Sequence, residues 1–143
     1  MEDRPIHPDF LFHLELKEME LVKLFADLRD YIFEVAPTCN EILYHTHALT
    51  SVFSLSDKLS DAFCMIPIYT SHLNLGFNQG TCLPDPKNLL QGTGKLIRHI
   101  PVRGPDDYRK PEIESLILSA INHSQDGMKK DPSVVGATIS KIK

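Results

Sequence analysis

The amino-acid sequence predicts an α+β fold of two layers, in which an antiparallel β-sheet of about four to five strands has helices packed on one face. Two observations predict this class. Helical periodicity is confined to the two ends of the chain, around residues 8–36 and 111–123. Most of the segments between them alternate apolar and polar residues, and one, residues 62–69, is continuously apolar. They follow one another without a long intervening helix, as strands of an α+β protein do.

The first helix is predicted over residues Pro8 to Ala36, and Pro37 ends it. Its buried face consists of apolar residues at steps of three and four: Leu21, Leu24, Phe25, Leu28, Ile32 and Val35. The rest of the helix carries these acidic residues: Glu15, Glu18, Glu20, Asp27, Asp30 and Glu34. Such carboxylates either form a solvated helix surface or attract a hard metal ion.

A short helix is predicted next, from Cys39 to Tyr44, because Thr38 followed by Glu41 has the spacing of a capping box. Four strands are predicted after it, over residues 47–55, 62–69, 72–77 and 96–103. The third and fourth strands are separated by a long connection rich in glycine and proline, residues 78–93.

The last helix begins at Pro111, since proline suits a first helical turn. Its buried face consists of five residues: Ile113, Leu116, Ile117, Ala120 and Ile121. We therefore expect one domain over residues 1–123, followed by a polar tail over residues 124–143. The tail either frays or adds an edge strand over residues 134–139.

The composition argues against several classes of protein. A net charge of −4 and a pI near 5.9 remove the attraction on which non-specific nucleic-acid binding depends. The longest apolar run, Ala62 to Tyr69, is too short to cross a bilayer, and the N-terminal residues lack the apolar segment of a secretory signal. The three cysteines are widely spaced, which favours reduced thiols. We expect a cytoplasmic protein without a nucleic-acid or membrane partner.

Polar residues share one face of the predicted sheet. His72 and Asn74 lie on the polar side of the third strand, and Lys95, His99 and Arg103 lie on that side of the fourth. Several hydrogen-bond donors meet there without an acid, so this face is the candidate ligand-binding site. We predict an anion or an acidic side chain within reach of at least two of the three fourth-strand residues. The alternative is that these side chains extend into water.

Arg98 has a different environment, because strand alternation turns it toward the apolar face with Ile100 and Val102. A buried guanidinium needs an acid, and Asp85 in the long connection is the candidate. The pair would clamp the connection to the sheet.

Four glycines of this region are assigned structural roles: Gly76, Gly80, Gly92 and Gly94. The run from Gly92 to Lys95 is not a phosphate-binding loop, because Leu89 occupies the position of the required first glycine. A strand also follows the run, where a phosphate loop needs a helix.

Histidines suggest a metal site less specifically. Extended segments would bring His45 close to His47 and His72 close to His99, and imidazole nitrogen binds several transition metals. No helical pair of histidines supports the site, so its ligands stay unknown.

The long connection and its flanking strands resemble the YdhG-like domain family, a group of small proteins of unknown function. The resemblance is carried by His72-Leu-Asn-Leu-Gly-Phe77, Gly80, Leu83, Asp85-Pro86, Leu89-Leu90, Gly92-Thr-Gly-Lys95 and Arg98-His99. It extends more loosely over residues 10–123. Members often have Trp-Gly before the first strand, where this chain has Tyr44-His45-Thr46-His47.

This resemblance implies a two-layer α+β fold. Some members are described as iron chaperones, but no agreed ligand motif accompanies that description, so no iron ligand carries over to this chain. Two hypotheses follow. The protein is a non-catalytic binding or chaperone-like domain that uses the polar sheet face for iron or a small anionic ligand, or it is a homodimeric structural protein without a small ligand. An enzyme ranks third, because no catalytic constellation is recognisable.

Overall fold

The computed structural model describes residues 4–143, and in that range it contains three α-helices and six β-strands. The elements in chain order are α1 Pro8–Leu14, α2 Met19–Val35, β1 Asn40–His45, β2 Leu49–Ser54, β3 Ala62–Ile68, β4 Leu73–Phe77, β5 Arg98–Val102, α3 Pro111–Asp126 and β6 Thr138–Ser140. No helix in this range is long and apolar enough to span a membrane. The α+β class is confirmed.

The strands form one sheet in the order β5-β4-β3-β2-β1-β6. Neighbours from β1 to β5 are antiparallel, but β6 runs parallel to β1. The prediction of an antiparallel sheet of four to five strands is therefore wrong in two respects, since the sheet is mixed and has six strands within the described residues. Strand β1 was not predicted, and β6 corresponds to the edge strand that was one of two alternatives for the tail.

Strand β1 replaces the short helix that was predicted from Cys39 to Tyr44. Glu41 does not cap a helix; its carboxylate is buried and accepts hydrogen bonds from Arg29 of α2. All six residues of β1 pair with β2, from Asn40 opposite Ser54 onward. Strand pairing and the buried ion pair thus outweigh a capping pattern that only local spacing supported.

The single helix predicted over residues 8–36 is divided into α1 and α2. Residues 15–18 leave the helix, and there the Lys17 Nζ donates to the Tyr69 carbonyl oxygen at 3.0 Å. The predicted core face of α2 is mostly confirmed, since Phe25, Leu28 and Ile32 are fully buried.

The core lies between the helices and one face of the sheet. There Phe25 and Leu28 of α2 and Ile117 of α3 belong to the same cluster as Leu75 and Phe77 of β4. A smaller cluster contains only residues from strands: Ile42, Val52 and Ala62, with Tyr44, Met65 and Ile139 packed around them. By strand alternation this second cluster lies on the opposite face of the sheet.

Of the two alternatives for the tail, the structure has the edge strand, at residues 138–140 rather than 134–139. The Asn40 side chain holds the preceding segment, since it donates to the Ser133 carbonyl and accepts from the Val135 and Ala137 amides at 3.1–3.2 Å. Helix α3 also continues past residue 123, the predicted domain boundary. Residues 1–3 of the predicted domain lie outside the described range.

The predicted clamp between Arg98 and Asp85 is wrong. Arg98 does share a face with Ile100, because it pairs with Phe77 in the β4–β5 register. Its guanidinium, however, donates to the carbonyl oxygens of Gly94 and Ile97 at 2.5 and 2.8 Å, so main-chain acceptors replace the expected acid.

Asp85 instead organises the connection itself. Its carboxylate oxygens accept from the amides of Leu89 and Leu90, both at 2.9 Å.

At two of the four glycines with predicted structural roles, the structure shows why a side chain would not fit. A Cβ on Gly80 would lie 2.4 Å from the Arg98 Cβ, and Gly92 has a φ of +131°.

The other two structural glycines differ from each other. A Cβ on Gly76 would lie 3.1 Å from the Met65 side chain, which is a tight contact. At Gly94 the nearest atom is 3.9 Å away, so nothing in the packing requires glycine there.

Candidate functional site

The five residues of the predicted polar sheet face occupy three separate places. Asn74 and His99 do lie on the face away from the helices, because Gly76 pairs with His99 and Asn74 pairs with Pro101. These two are partly buried diagonal neighbours on β4 and β5. They are the part of the predicted face that the strand register brings together.

His72 and Arg103 flank the strands and line a groove of about 680 Å³ against the N-terminal half of α2. The His72 ring stacks on Tyr69, with centroids 4.7 Å apart. Glu18 and Glu20 line the same groove. Carboxylates therefore accompany the cations, and the groove is not the uniformly donor-rich surface that the sequence predicted.

Lys95 lies in the long connection and is exposed, so its predicted place beside His99 on the strand is wrong. The reason is that β5 begins at Arg98, three residues later. Over residues 4–143, no carboxylate accepts a hydrogen bond from the side chain of Lys95, His99 or Arg103. Binding of an anion to these residues stays a prediction.

A different concave site lies between the C-terminal half of α3 and the start of β3. This cleft encloses about 400 Å³. Its apolar lining comes from Phe63 on β3, Leu83 after the Gly80–Cys82 turn, and Ala120 on α3. Phe63 is buried because the β2–β3 register shifts between Phe53 and Ser54, which leaves consecutive β3 residues in the core.

The polar lining of this cleft is held by hydrogen bonds. His123 Nε2 lies 2.5 Å from Gln79 Oε1, so the imidazole and the amide orient each other across the cleft. Asp61 Oδ2 accepts from the Ser56 hydroxyl at 2.6 Å, and the Ser124 hydroxyl donates to the Asp61 carbonyl at 2.9 Å. These contacts connect α3 to the turn before β3 and fix the carboxylate.

The charges that line the cleft are negative. Asp61 and Asp126 contribute carboxylates, whereas no lysine or arginine lines it among the described residues. An anion would therefore meet repulsion. A ligand that carries a protonated amine, or several hydrogen-bond donors, matches these acceptors better.

The contacts in this cleft do not form a nucleophilic site. The Ser124 hydroxyl donates to a main-chain carbonyl, and His123 contacts Gln79 rather than a serine.

The two buried cysteines, Cys39 and Cys64, lie outside the cleft. Burial raises the pKa of the Cys39 thiol to about 12 and that of the Cys64 thiol well above its usual value. These two thiols stay protonated at neutral pH.

No group of three or more metal-ligating side chains from His, Cys, Asp and Glu occurs in the described part of the chain. The ring of His45 lies against that of His13 of α1, with centroids 4.5 Å apart, whereas the sequence suggested His47 as its neighbour. These side chains therefore do not provide a set of ligands for the expected iron site within the described residues.

Sequence reasoning missed the cleft because its residues lie far apart in the chain. Asp61 directly precedes a predicted strand, Gln79 lies in the long connection, and His123 is the last residue of a predicted helix. Only the packing of α3 against β3 brings them together. No local spacing signals such a site.

Comparison with models of known protein families, with curated proteins and with solved structures finds no match for this chain.

Proposed function

We propose that the protein is a non-catalytic binding domain and that its ligand occupies the cleft between α3 and β3. The observation that carries this proposal is the pairing of an apolar lining with an oriented polar rim, formed by Asp61, Gln79 and His123, in a cleft of about 400 Å³. The volume of this cleft lies within the range of small-molecule sites, and hydrogen bonds fix several of its polar groups.

The lining also suggests the chemistry of the ligand. An apolar group would pack against Leu83, while a protonated amine would donate to the Asp61 carboxylate, of which one oxygen has no hydrogen bond within the described residues. We therefore propose a compact cation with an apolar body. Membership of the YdhG-like family is part of the same proposal, and it rests on the sequence stretch from His72 to His99.

The proposal is tested with three probes of similar size, benzylamine, benzyl alcohol and benzoate, by titration of nitrogen-15-labelled protein. Benzylamine should shift the amides of residues 60–63, 79 and 120–126, benzyl alcohol should shift them less, and benzoate should leave them unchanged. Asp61→Asn keeps an acceptor for Ser56 but removes the charge, and it should weaken benzylamine binding by about tenfold or more.

Asp57→Asn is the matched control, because Asp57 is exposed and does not line the cleft. It should bind benzylamine as the unmodified protein does. Equal affinity for benzylamine and benzoate, or equal weakening by the two asparagine substitutions, would refute the cation-binding proposal.

The packing on the sheet face without helices supports the homodimer hypothesis less than the α3–β3 cleft supports a binding function. The residues at the centre of the sheet face without helices are already shielded by their neighbours, since Ile42 is 0% and Val52 is 1% exposed. That face does not need a second copy to remove its central residues from water. Sedimentation at micromolar concentration distinguishes the hypotheses, because a stable dimer favours the structural role.

A further inference from the structure

Three large apolar side chains are strongly exposed at the N-terminal end of the helical layer. Phe12, Leu16 and Met19 are 67%, 79% and 69% exposed, respectively. They follow one another at steps of four and three residues, across α1, the α1–α2 connection and the start of α2. Single exposed apolar residues are common, but several in succession mark an interaction surface.

The main chain holds this segment in place. The amides of Glu15, Leu16 and Lys17 donate to main-chain carbonyls of α1 at 2.9–3.2 Å. On the other side of the same helix Phe10 and Leu14 are completely buried. The exposed residues therefore belong to an anchored element, and they do not turn inward because the core positions of α1 are already filled.

Acidic residues lie next to two of the three apolar residues along the chain. Glu15, Glu18 and Glu20 are all exposed. In the described part of the chain Glu15 and Glu18 form no ion pair, and Glu20 lies 3.8 Å from the exposed amine of Lys23. The amine of Lys17 is directed to the Tyr69 carbonyl. The surface thus combines three apolar side chains with a rim of carboxylates, of which Glu18 and Glu20 also line the groove that contains Arg103.

We propose that the surface formed by Phe12, Leu16 and Met19, with its rim of Glu15, Glu18 and Glu20, docks a basic amphipathic helix of another protein. The apolar face of such a helix would cover the three exposed side chains, and its flanking lysine or arginine residues would pair with the glutamates. The site is separate from the α3–β3 cleft.

Charge argues against the other occupants. A second copy related by a twofold axis would bring the same glutamates close to one another, and like charges repel. An anionic lipid surface would also be repelled, because membrane-binding surfaces of this kind carry lysine and arginine rather than glutamate.

The test uses an eighteen-residue peptide of leucine and lysine that is amphipathic as a helix, and a second peptide in which glutamate replaces lysine. In titrations of nitrogen-15-labelled protein, the lysine peptide should shift amides within residues 11–20, and the glutamate peptide should shift none. Leu16→Ser combined with Met19→Ser should raise the dissociation constant at least tenfold. Val135→Ser, at a residue that is 80% exposed, is the control and should change nothing.

A triple variant, Glu15→Gln with Glu18→Gln and Glu20→Gln, should weaken binding several-fold and reduce its dependence on salt. Equal binding of the two peptides, or shifts outside residues 11–20, would overturn the proposal. The proposal would also be overturned if the protein formed a dimer, or bound phosphatidylglycerol vesicles, and the serine substitutions abolished that association.

Discussion

Arg29 of α2 and Glu41 of β1 form a buried two-pronged ion pair. Arg29 Nε lies 2.8 Å from Glu41 Oε2, and Arg29 Nη2 lies 2.9 Å from Oε1. The residues are 3% and 1% exposed. The Ser51 hydroxyl also donates to Oε2, and Arg29 Nη1 donates to the Arg4 carbonyl. One pair therefore connects the helical layer, two strands and the N-terminal segment.

Removal of Glu41 should be strongly destabilising. Glu41→Ala leaves the Arg29 guanidinium buried without its counter-ion, which typically reduces the free energy of unfolding by about 3–5 kcal/mol. Glu34→Ala is the control, because Glu34 pairs with Arg109 at the surface and should contribute only about 0–1 kcal/mol. Urea denaturation measures both values. Similar small losses would show that the Arg29–Glu41 pair is solvated.

Replacement of both partners should be milder than removal of one. Arg29→Met with Glu41→Leu removes both charges of the buried pair, and replacing such a pair with apolar residues of similar volume is often neutral or stabilising. The double variant should recover most of the loss in urea denaturation. A loss as large as the sum of the single losses would mean that packing, and not the uncompensated charge, determines the effect.

Asp27 should make stability dependent on acid pH. The hydrogen bond from Arg109 holds the pKa of Asp27 below its ordinary value of 3.8, against burial, and the Tyr108 hydroxyl adds to the effect. Because the folded pKa is the lower one, this stabilisation is present above the unfolded pKa and is lost as the pH falls through the folded value. Asp27→Asn should flatten the dependence of stability on pH below about pH 4. Parallel curves for the two proteins would contradict the assignment.

Gly80 should not tolerate a side chain. Gly80→Ala would place its Cβ 2.4 Å from the Arg98 Cβ and should destabilise by about 1–3 kcal/mol, as overpacking does. Gly104→Ala is the matched control, because no atom lies within 4 Å of its added Cβ and its φ is −164°. Thermal unfolding compares them, and equal melting temperatures would exclude the close approach.

The three cysteines should differ in reactivity. Cys82 is exposed, whereas Cys39 and Cys64 are buried with raised pKa values. A disulfide reagent at neutral pH should modify one thiol of the folded protein rapidly and the other two only after denaturation. Cys82→Ser should remove the rapid phase. Rapid reaction of a second thiol would show that the helical layer opens readily.

Hydrophobic periodicity predicted the parts of the fold in which one face of an element is apolar. The core face of α2 and the strand around Leu75 are examples, whereas β3 was predicted from its continuous apolar run. Strand β1 was missed because its buried face includes Glu41, whose burial depends on Arg29 in a distant helix. An edge strand in the tail was predicted only as one of two alternatives, because β6 has three residues, which are too few to show alternation.

The candidate site could not be predicted in the same way. The expected polar face depended on a fourth strand that began two residues too early, and Lys95 leaves that face when the strand begins at Arg98. The cleft depends on packing between α3 and β3, which brings Asp61 and His123 to one place from opposite halves of the chain. The spacing of residues along the sequence does not indicate such long-range contacts.

Intermolecular nuclear Overhauser effects with benzylamine test most directly whether the α3–β3 cleft binds the proposed cation with an apolar body. The ring protons of benzylamine should show effects to the methyl groups of Leu83 and Ala120, which line the cleft, and Asp61→Asn should make these effects much weaker at the same benzylamine concentration. Effects confined to the methyl groups of Leu16 or Ile97, or none at millimolar benzylamine, would contradict the account.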